Sequence, residues 1–130
     1  MEGKIEEIII IMKKILIAED NDSNYILMTY ILKKYYEYER AKNGKEAVEM
    51  VEKNDDYAIV LMDIKMTVMD GLEATKAIKE IRPDLPVIAL TANAFDSDRQ
   101  LAIEAGCDDF LAKPVSSDLC LMSIKKFIGE

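Results

Sequence analysis

Histidine and tryptophan are absent from this 130-residue chain, and cysteine, proline and glycine are scarce. Without histidine, serine–histidine triads, imidazole acid–base catalysis and most transition-metal sites are excluded. The two cysteines, Cys107 and Cys120, form no CxxC pair and predict ordinary buried thiols in a reducing compartment. The chemistry that remains available is that of carboxylates, hydroxyls and lysines.

Positive charge is also in deficit, with 17 Lys and Arg against 25 Asp and Glu and a formal net charge of −8. Phosphate backbones demand basic patches, so we expect no direct binding of nucleic acid. Half of the residues are hydrophobic and 32% are charged, which is typical of a globular protein. The length suits one domain with one substantial core.

The first twelve residues stand apart from the rest of the chain. The apolar run Ile8–Met12 is far too short to span a bilayer, and a secretory signal would need a basic start and a small-residue cleavage site. Ile5, Ile8, Ile9 and Met12 would share one face of a short helix. We expect residues 1–12 to be an extension or linker, residues 13–130 to be one domain, and the protein to be cytoplasmic without membrane attachment; a contact between the extension and another chain is the alternative.

From Lys14 onward, buried apolar runs alternate with helical patterns. The predicted strands are Ile15–Ala18, Tyr36–Ala41, Tyr57–Met62, Pro86–Leu90 and Asp109–Ala112. The predicted helices run from Asp22 or Ser23 to about Tyr35, then Lys45–Lys53, Gly71–Ile81, Asp98–Ala105 and Val115–Ile128. The side chains expected to face the core are Met28, Ile31, Leu32 and Tyr35 in the first helix and Ala74, Ile78 and Ile81 in the third. Such alternation predicts an α/β fold, a doubly wound, flavodoxin-like (βα)5. Because Tyr36–Ala41 mixes charged and apolar residues like an edge strand, the five-stranded parallel sheet should have the order 2-1-3-4-5.

Polar residues follow four of these strands directly: Glu19 and Asp20, then Asp63, Thr91 and Lys113. In this strand order, they should converge on one crevice. Two carboxylates about 4 Å apart repel by roughly 4 kcal/mol at an effective dielectric near 20. The acids should therefore have raised pKa values or bind a hard cation, Mg²⁺ first and Mn²⁺ as an alternative.

A cation beside a carboxylate, a lysine and a hydroxyl suits phosphoryl transfer. Asp63 would be the nucleophile, becoming an aspartyl phosphate, while Lys113 and Thr91 would bind phosphoryl oxygens. Each residue alone has a structural explanation as a cap, a turn or a strand end, and only their conjunction argues for function. Asp70, Asp108 and Asp109 keep the structural explanation.

Four segments resemble the receiver domain of two-component response regulators: ILIAEDN (15–21), LMDIKMTVMDG (61–71), ALTA (89–92) and DDFLAKP (108–114). The resemblance covers residues 13 to 128. It implies that Asp63 accepts a phosphoryl group from a phosphohistidine on a histidine kinase or a histidine phosphotransfer protein. It also implies Mg²⁺ ligation by Asp20, Asp63 and the backbone carbonyl of Lys65, with Glu19 acting through water. A cis Lys113-Pro114 bond and Phe110 as the switch aromatic beside Thr91 are further implications.

Within the family, AEDNDSN and ALTANAF look most like the receivers of hybrid histidine kinases. One departure is Thr67, where the family usually has proline, and this frees the backbone of the loop after Asp63. Lys65 and Asn93 occupy positions that tune dephosphorylation in the family. The protein would be a signalling switch that catalyses its own phosphorylation and dephosphorylation rather than a turnover enzyme.

Several alternatives remain open. The last helix is apolar around much of its circumference, so it is either well covered by its neighbours or a surface for a partner or a homodimer. A pseudo-receiver would bind partners without phosphorylation. Two other classes do not fit the sequence. A haloacid-dehalogenase-type phosphatase needs a second Asp at position 65, where this chain has Lys65. An FMN-binding flavodoxin needs a hydroxyl- and glycine-rich phosphate loop after strand 1, where residues 19–22 (EDND) would repel a phosphate unless a cation intervenes. Because no effector domain follows the last helix, we expect either a single-domain regulator or a receiver cut from a longer protein.

Overall fold

A computed structural model of the chain describes residues 12–92 and 96–129. Five strands alternate there with five helices. The strands are β1 (Lys14–Ala18), β2 (Glu37–Ala41), β3 (Tyr57–Asp63), β4 (Val87–Thr91) and β5 (Asp109–Ala112). The helices are α1 (Asp22–Leu32), α2 (Gly44–Lys53), α3 (Gly71–Ile81), α4 (Asp96–Ala105) and α5 (Ser117–Ile128). The predicted N-terminal helical face lies outside the described residues except for Met12. None of the helices in the described part is long and apolar enough to cross a bilayer.

All five strands are parallel, and their order is β2-β1-β3-β4-β5, which confirms the predicted doubly wound α/β fold. In register, Ala18 pairs with Met62 and Asp63 pairs with Leu90. Thr91 pairs with Ala112, one residue before Lys113. The carboxyl ends of β1, β3, β4 and β5 are therefore aligned at one edge of the sheet, on both sides of the point where the strand order reverses.

The sheet has a hydrophobic layer on each face because successive strand residues point to opposite sides. Ile15 and Ile17 pack in one cluster with α1 and α5. Leu16 and Ala18 pack in the other with α2 and α3. Burial on both faces explains why β1, β3 and β4 have continuous apolar sequences rather than alternating ones.

Both the start and the end of α1 differ from the prediction. Asn21, rather than Asp22 or Ser23, caps the helix, and its side chain accepts the N–H of Asn24 at 2.9 Å. The helix ends at Leu32, whose carbonyl accepts the N–H groups of Tyr35 and Tyr36. This turn changes the phase of the chain, so Tyr35 is 53% exposed whereas Tyr36 is buried. The prediction that Tyr35 faces the core was wrong.

Other details also differ from the sequence prediction, among them the exposure of Ile81 and the start of the last helix. Ile81, expected to face the core, is exposed because it is the last residue of α3 and Arg82 already caps the helix. The last helix begins at Ser117 rather than at Val115, with Ser116 as its cap. Neither difference moves a residue at the carboxyl edge of the sheet.

Candidate functional site

The carboxyl ends of β1, β3, β4 and β5 surround a cavity of about 190 Å³. Its lining residues are the predicted Glu19, Asp20, Asp63, Lys65, Thr91 and Lys113, together with Asn21, Asn24, Ile64, Leu90, Ala92 and Asp98. Six residues chosen from the sequence thus share one cavity, although they are spread over 95 positions of chain. Phe110, chosen as the switch aromatic, does not line it.

Asp63 is the last residue of β3 and is buried. Its Oδ1 accepts the backbone N–H of Lys65 at 3.2 Å, and its Oδ2 lies 3.0 Å from Lys113 Nζ. The start of α3 comes very close behind it, since a Cβ on Gly71 would lie 2.2 Å from the Asp63 carbonyl oxygen. The Gly71 N–H donates to the Ile64 carbonyl at 2.7 Å. Only glycine permits this approach, which holds the backbone after Asp63 in place.

Glu19 follows β1 and has no solvent-exposed surface. Its backbone N–H donates to the Ala41 carbonyl at 3.0 Å, and its Oε2 accepts the N–H of Asn21 at 3.2 Å. Burial, and then the neighbouring Asp63 carboxyl, raise the pKa of Glu19 to about 7. The direction is the one expected from the sequence, but burial, rather than the crowding of the acids, is the largest single cause of the raised pKa.

Lys113 follows β5 and places its ammonium between the two buried acids. Lys113 Nζ lies 3.1 Å from Glu19 Oε1 and 3.0 Å from Asp63 Oδ2. Burial alone would lower the pKa of Lys113, but the carboxyls of Asp63 and Glu19 outweigh it and raise the pKa above its ordinary value. The lysine is therefore a fixed positive charge in the cavity. The Lys113-Pro114 peptide bond is cis, as the family resemblance implied.

Three carboxylates lie together at the mouth of the cavity. One oxygen each from Glu19, Asp20 and Asp63 lies within 4.8 Å of the others. Glu19 and Asp63 are buried while Asp20 is exposed, so the group is open to water on one side. Such all-oxygen donors on a partly open site suit Mg²⁺, which keeps several of its waters. The exposed Lys65 borders the same cavity.

Thr91 is buried at the end of β4, and its backbone carbonyl accepts the N–H of Lys113 at 2.8 Å. Its hydroxyl donates to Asp98 Oδ2 at 3.3 Å. Phe110 is half-buried on β5, packed near Ile64, Ala89 and Ala102. The guanidinium of Arg99 lies 4.9 Å from the centre of its ring. Asn93, the other position expected at the mouth, lies outside the described residues.

Sequence reasoning did not identify Asp98 or Arg40. Arg40 Nε donates to the Glu19 carbonyl at 3.0 Å, and its Nη1 lies 2.8 Å from Asp22 Oδ1. Asp98 lies in the first turn of α4 and borders the cavity from the side of Thr91. An acid in a first helical turn is common for reasons of the helix dipole, so no sequence signal marked Asp98.

Asp70, Asp108 and Asp109, which were expected to have structural roles only, each contact a residue outside the cavity. Asp70 caps α3 by accepting the N–H of Glu73 at 2.9 Å. Asp108 pairs with Lys79 at 2.7 Å and also accepts the N–H of Val87. Asp109 accepts the Ser123 hydroxyl at 2.6 Å. These contacts occupy the three side chains away from the cavity.

Comparison with protein families and curated proteins gives a consistent result. A family model described as "Response regulator receiver domain" matches residues 15–125. "Two-component system protein A" of Emericella nidulans is 40% identical over 90% of this chain, and "Hybrid signal transduction histidine kinase I" of Dictyostelium discoideum is 37% identical over 84%. The chain spans only 18% and 7% of the lengths of these two proteins. The "Polar-differentiation response regulator DivK" of Brucella anthropi is 34% identical over 91% of this chain, which spans 98% of it.

Solved structures also match. The receiver domain of a sensor histidine kinase from Pseudomonas aeruginosa, crystallised with magnesium in its active site cleft, superposes with a TM-score of 0.86 and 33% identity. That match covers 92% of this chain and 100% of the other. A Saccharomyces cerevisiae receiver domain, solved in complex with a histidine phosphotransfer signaling protein, gives a TM-score of 0.82 and 29% identity, with 90% of each chain covered.

Proposed function

The chain belongs to the response regulator receiver domain family, and from that membership we propose that Asp63 is the residue on which it carries a phosphoryl group. The chain is thus a receiver domain of two-component systems, similar to receivers of hybrid histidine kinases as well as to stand-alone regulators. The donor in our proposal is a phosphohistidine on a histidine kinase or a histidine phosphotransfer protein.

One observation carries the assignment to Asp63. Its buried carboxylate ends the strand at the switch point of the sheet and shares the Lys113 ammonium with Glu19. The Lys113 ammonium is positioned to meet the charge of a phosphoryl group that arrives there, and a carboxylate can act as the nucleophile of such a transfer. Asp20 is too exposed and Glu19, with a pKa of about 7, too readily protonated to serve as well.

In the proposed transfer, a carboxylate oxygen of Asp63 forms a bond to phosphorus as the bond from phosphorus to the histidine nitrogen breaks. The electron pair of the broken bond stays on the imidazole. Lys113 then lies beside a new phosphoryl oxygen, and it offsets the charge that arrives with the group. The Thr91 hydroxyl, on the neighbouring strand, is the second donor that the group would use.

The residues present fit a divalent cation, because three carboxylates supply only oxygen donors and one side of the group is open to water. When bound, Mg²⁺ or Mn²⁺ would neutralise phosphoryl oxygens during transfer. Asp20, Asp63 and the backbone carbonyl of Lys65 would hold it directly, and Glu19 would act through water.

Four further assignments belong to the proposal. The exposed apolar face of α5 is the surface where the switched chain meets a partner or a second copy. Direct binding of nucleic acid is not part of its role, given a formal charge of −8. Its compartment is the cytoplasm, since both cysteines are free thiols. Residues 13–130 form the receiver, and residues 1–12 are an extension or linker.

A pseudo-receiver that only binds partners is the less favoured alternative, because the acids, the lysine and the threonine all line one cavity. Incubation with acetyl phosphate and Mg²⁺, followed by intact-mass measurement, tests the choice. We expect the mass to rise by one phosphoryl group, and we expect no rise when EDTA is present during the incubation to chelate the Mg²⁺.

Asp63→Ala should abolish that gain. Asp118→Ala, which removes an exposed acid on α5, is the matched control and should leave the gain intact. An unmodified wild-type mass, or a gain that survives Asp63→Ala, would refute Asp63 as the phosphoacceptor.

A further inference from the structure

Asp98 contacts the Thr91 hydroxyl from the wall of the phosphoacceptor cavity, and no step of the proposed transfer uses it. Thr91 Oγ1 donates to Asp98 Oδ2 at 3.3 Å. Asp98 is half-buried and lines both this cavity and an adjoining groove of about 400 Å³ beside the loop that follows β3. An acid thus faces a space that would receive an anionic group.

The Thr91 backbone is held on both sides. Its carbonyl accepts the Lys113 N–H at 2.8 Å, and its strand neighbour Leu90 accepts the Ile64 N–H at 3.1 Å. Thr91 also pairs in register with Ala112. Because the backbone is fixed by these strands, the hydroxyl changes partner mainly by rotation of the side chain or by a local shift of α4.

A hydroxyl has one proton and so donates one hydrogen bond at a time. While Thr91 donates to Asp98, it cannot donate to a phosphoryl oxygen on Asp63. A charge-assisted O–H···O⁻ bond is normally 2.5–2.7 Å long, so the bond of 3.3 Å is a weak one that a stronger acceptor would replace. The contact therefore competes with a phosphoryl oxygen for the hydroxyl without preventing the exchange.

We propose that Asp98 is a positioning residue that holds the Thr91 hydroxyl in the unphosphorylated state and competes with the phosphoryl group for it. The inference rests on the proposed function, since it requires Thr91 to donate to the group on Asp63. The charge of Asp98 acts in the same direction, because a carboxylate repels an incoming phosphoryl anion. When the Thr91 hydroxyl turns towards the phosphoryl group, Asp98 loses a hydrogen-bond partner. The first turn of α4, which carries Asp98, is then the element whose contacts change.

Beryllofluoride, which mimics a phosphoryl group on a carboxylate, provides the test in the presence of Mg²⁺. Fluorine NMR would give its affinity for wild type, Asp98→Ala, Thr91→Val and the double variant. Asp98→Ala should bind about fivefold more tightly than wild type, the equivalent of losing one competing hydrogen bond of ordinary rather than charge-assisted strength. Glu104→Gln removes an exposed charge further along α4 and should bind like wild type.

The double variant separates hydrogen bonding from charge repulsion. If Asp98 acts by holding the hydroxyl, Asp98→Ala should change the affinity less than twofold in the Thr91→Val background. An equal gain in both backgrounds would show that only the charge matters and would overturn the proposal. The proposal would also be overturned if wild type binds beryllofluoride and Asp98→Ala binds it with the same affinity. Failure of wild type to bind it at all would refute the proposed function and this inference with it.

Discussion

At the scale of single residues, Lys113 allows two buried carboxylates to occupy one cavity. Glu19 and Asp63 are both nearly inaccessible to solvent, and their charges would repel strongly in such a place. The Lys113 ammonium lies about equally far from both, at 3.1 and 3.0 Å. It is also the side chain positioned to meet the charge of an incoming phosphoryl group.

Lys113→Gln should slow phosphorylation by acetyl phosphate by about 100-fold, the scale typical for loss of one donor to a developing anion. Phosphoryl incorporation measured by intact mass over time is the readout, and calorimetry with Mg²⁺ should show that the acids still bind the cation. Lys76→Gln, an exposed charge change on α3, is the control and should behave like wild type. A rate within threefold of wild type for Lys113→Gln would contradict the role given to the lysine.

At the scale of elements, the connection from β3 to α3 carries strain beside the site. Val68 has φ of 70°, a left-handed conformation that is unfavourable for a β-branched residue. The Met69 N–H donates to the Thr67 carbonyl at 2.8 Å, and the Gly44 N–H donates to the Met69 carbonyl at 3.0 Å. These bonds, with the close approach of Gly71, hold the loop in place against the strain. Thr67 is exposed at the rim, and an effect of the missing proline on phosphoryl lifetime stays a prediction.

Val68→Asn should raise the free energy of unfolding by about 1 kcal/mol, because asparagine tolerates the left-handed region. Packing should lose little, since Val68 is 77% exposed. Urea denaturation would measure the change. Thr67→Asn, at an exposed neighbour with negative φ, should stay within about 0.5 kcal/mol of wild type. Equal changes in both variants would argue against strain at Val68.

At the scale of the whole molecule, α5 has apolar side chains on two sides, one buried against the sheet and one exposed to solvent. Cys120 and Ile124 are buried against the sheet, while Leu119 and Met122 are 57% and 65% exposed. They border a groove of about 450 Å³ with Asp109 and other residues of β5. Two large apolar side chains on one groove exceed what the core requires, which favours a contact surface over a covered helix.

The double variant Leu119→Ser and Met122→Ser should lose self-association or partner binding while it keeps its fold. Sedimentation of protein treated with acetyl phosphate and Mg²⁺ would follow association, and urea denaturation would follow stability. We expect the free energy of unfolding to fall by less than about 1 kcal/mol, as is usual for surface changes. Ile124→Ser, at a buried position of the same helix, should cost more than about 2 kcal/mol. Severe destabilisation with unchanged association would instead assign α5 to the core.

Much of the fold could be predicted because its signals are local. Apolar runs such as Ile15–Ala18 and Tyr57–Met62 predict buried strands between turn signals, and Asn43 and Asp70 can cap helices by their own chemistry. Errors arose where a local pattern had two solutions. The phase of Tyr35 and Tyr36 depended on where α1 ended, and no residue there forces that end.

The sequence by itself determined the strand-end residues Glu19, Asp20, Asp63, Thr91 and Lys113 as the group to examine, because parallel βα units align their carboxyl ends. Only the tertiary structure decided that Lys113 lies between two buried acids and that Thr91 donates to Asp98. Those contacts join residues from different strands and helices. Their distances follow from register, helix packing and side-chain direction, which no local pattern specifies. The strain at Val68 was likewise invisible in sequence, since it arises from how the loop after Asp63 must meet Gly44 and Gly71.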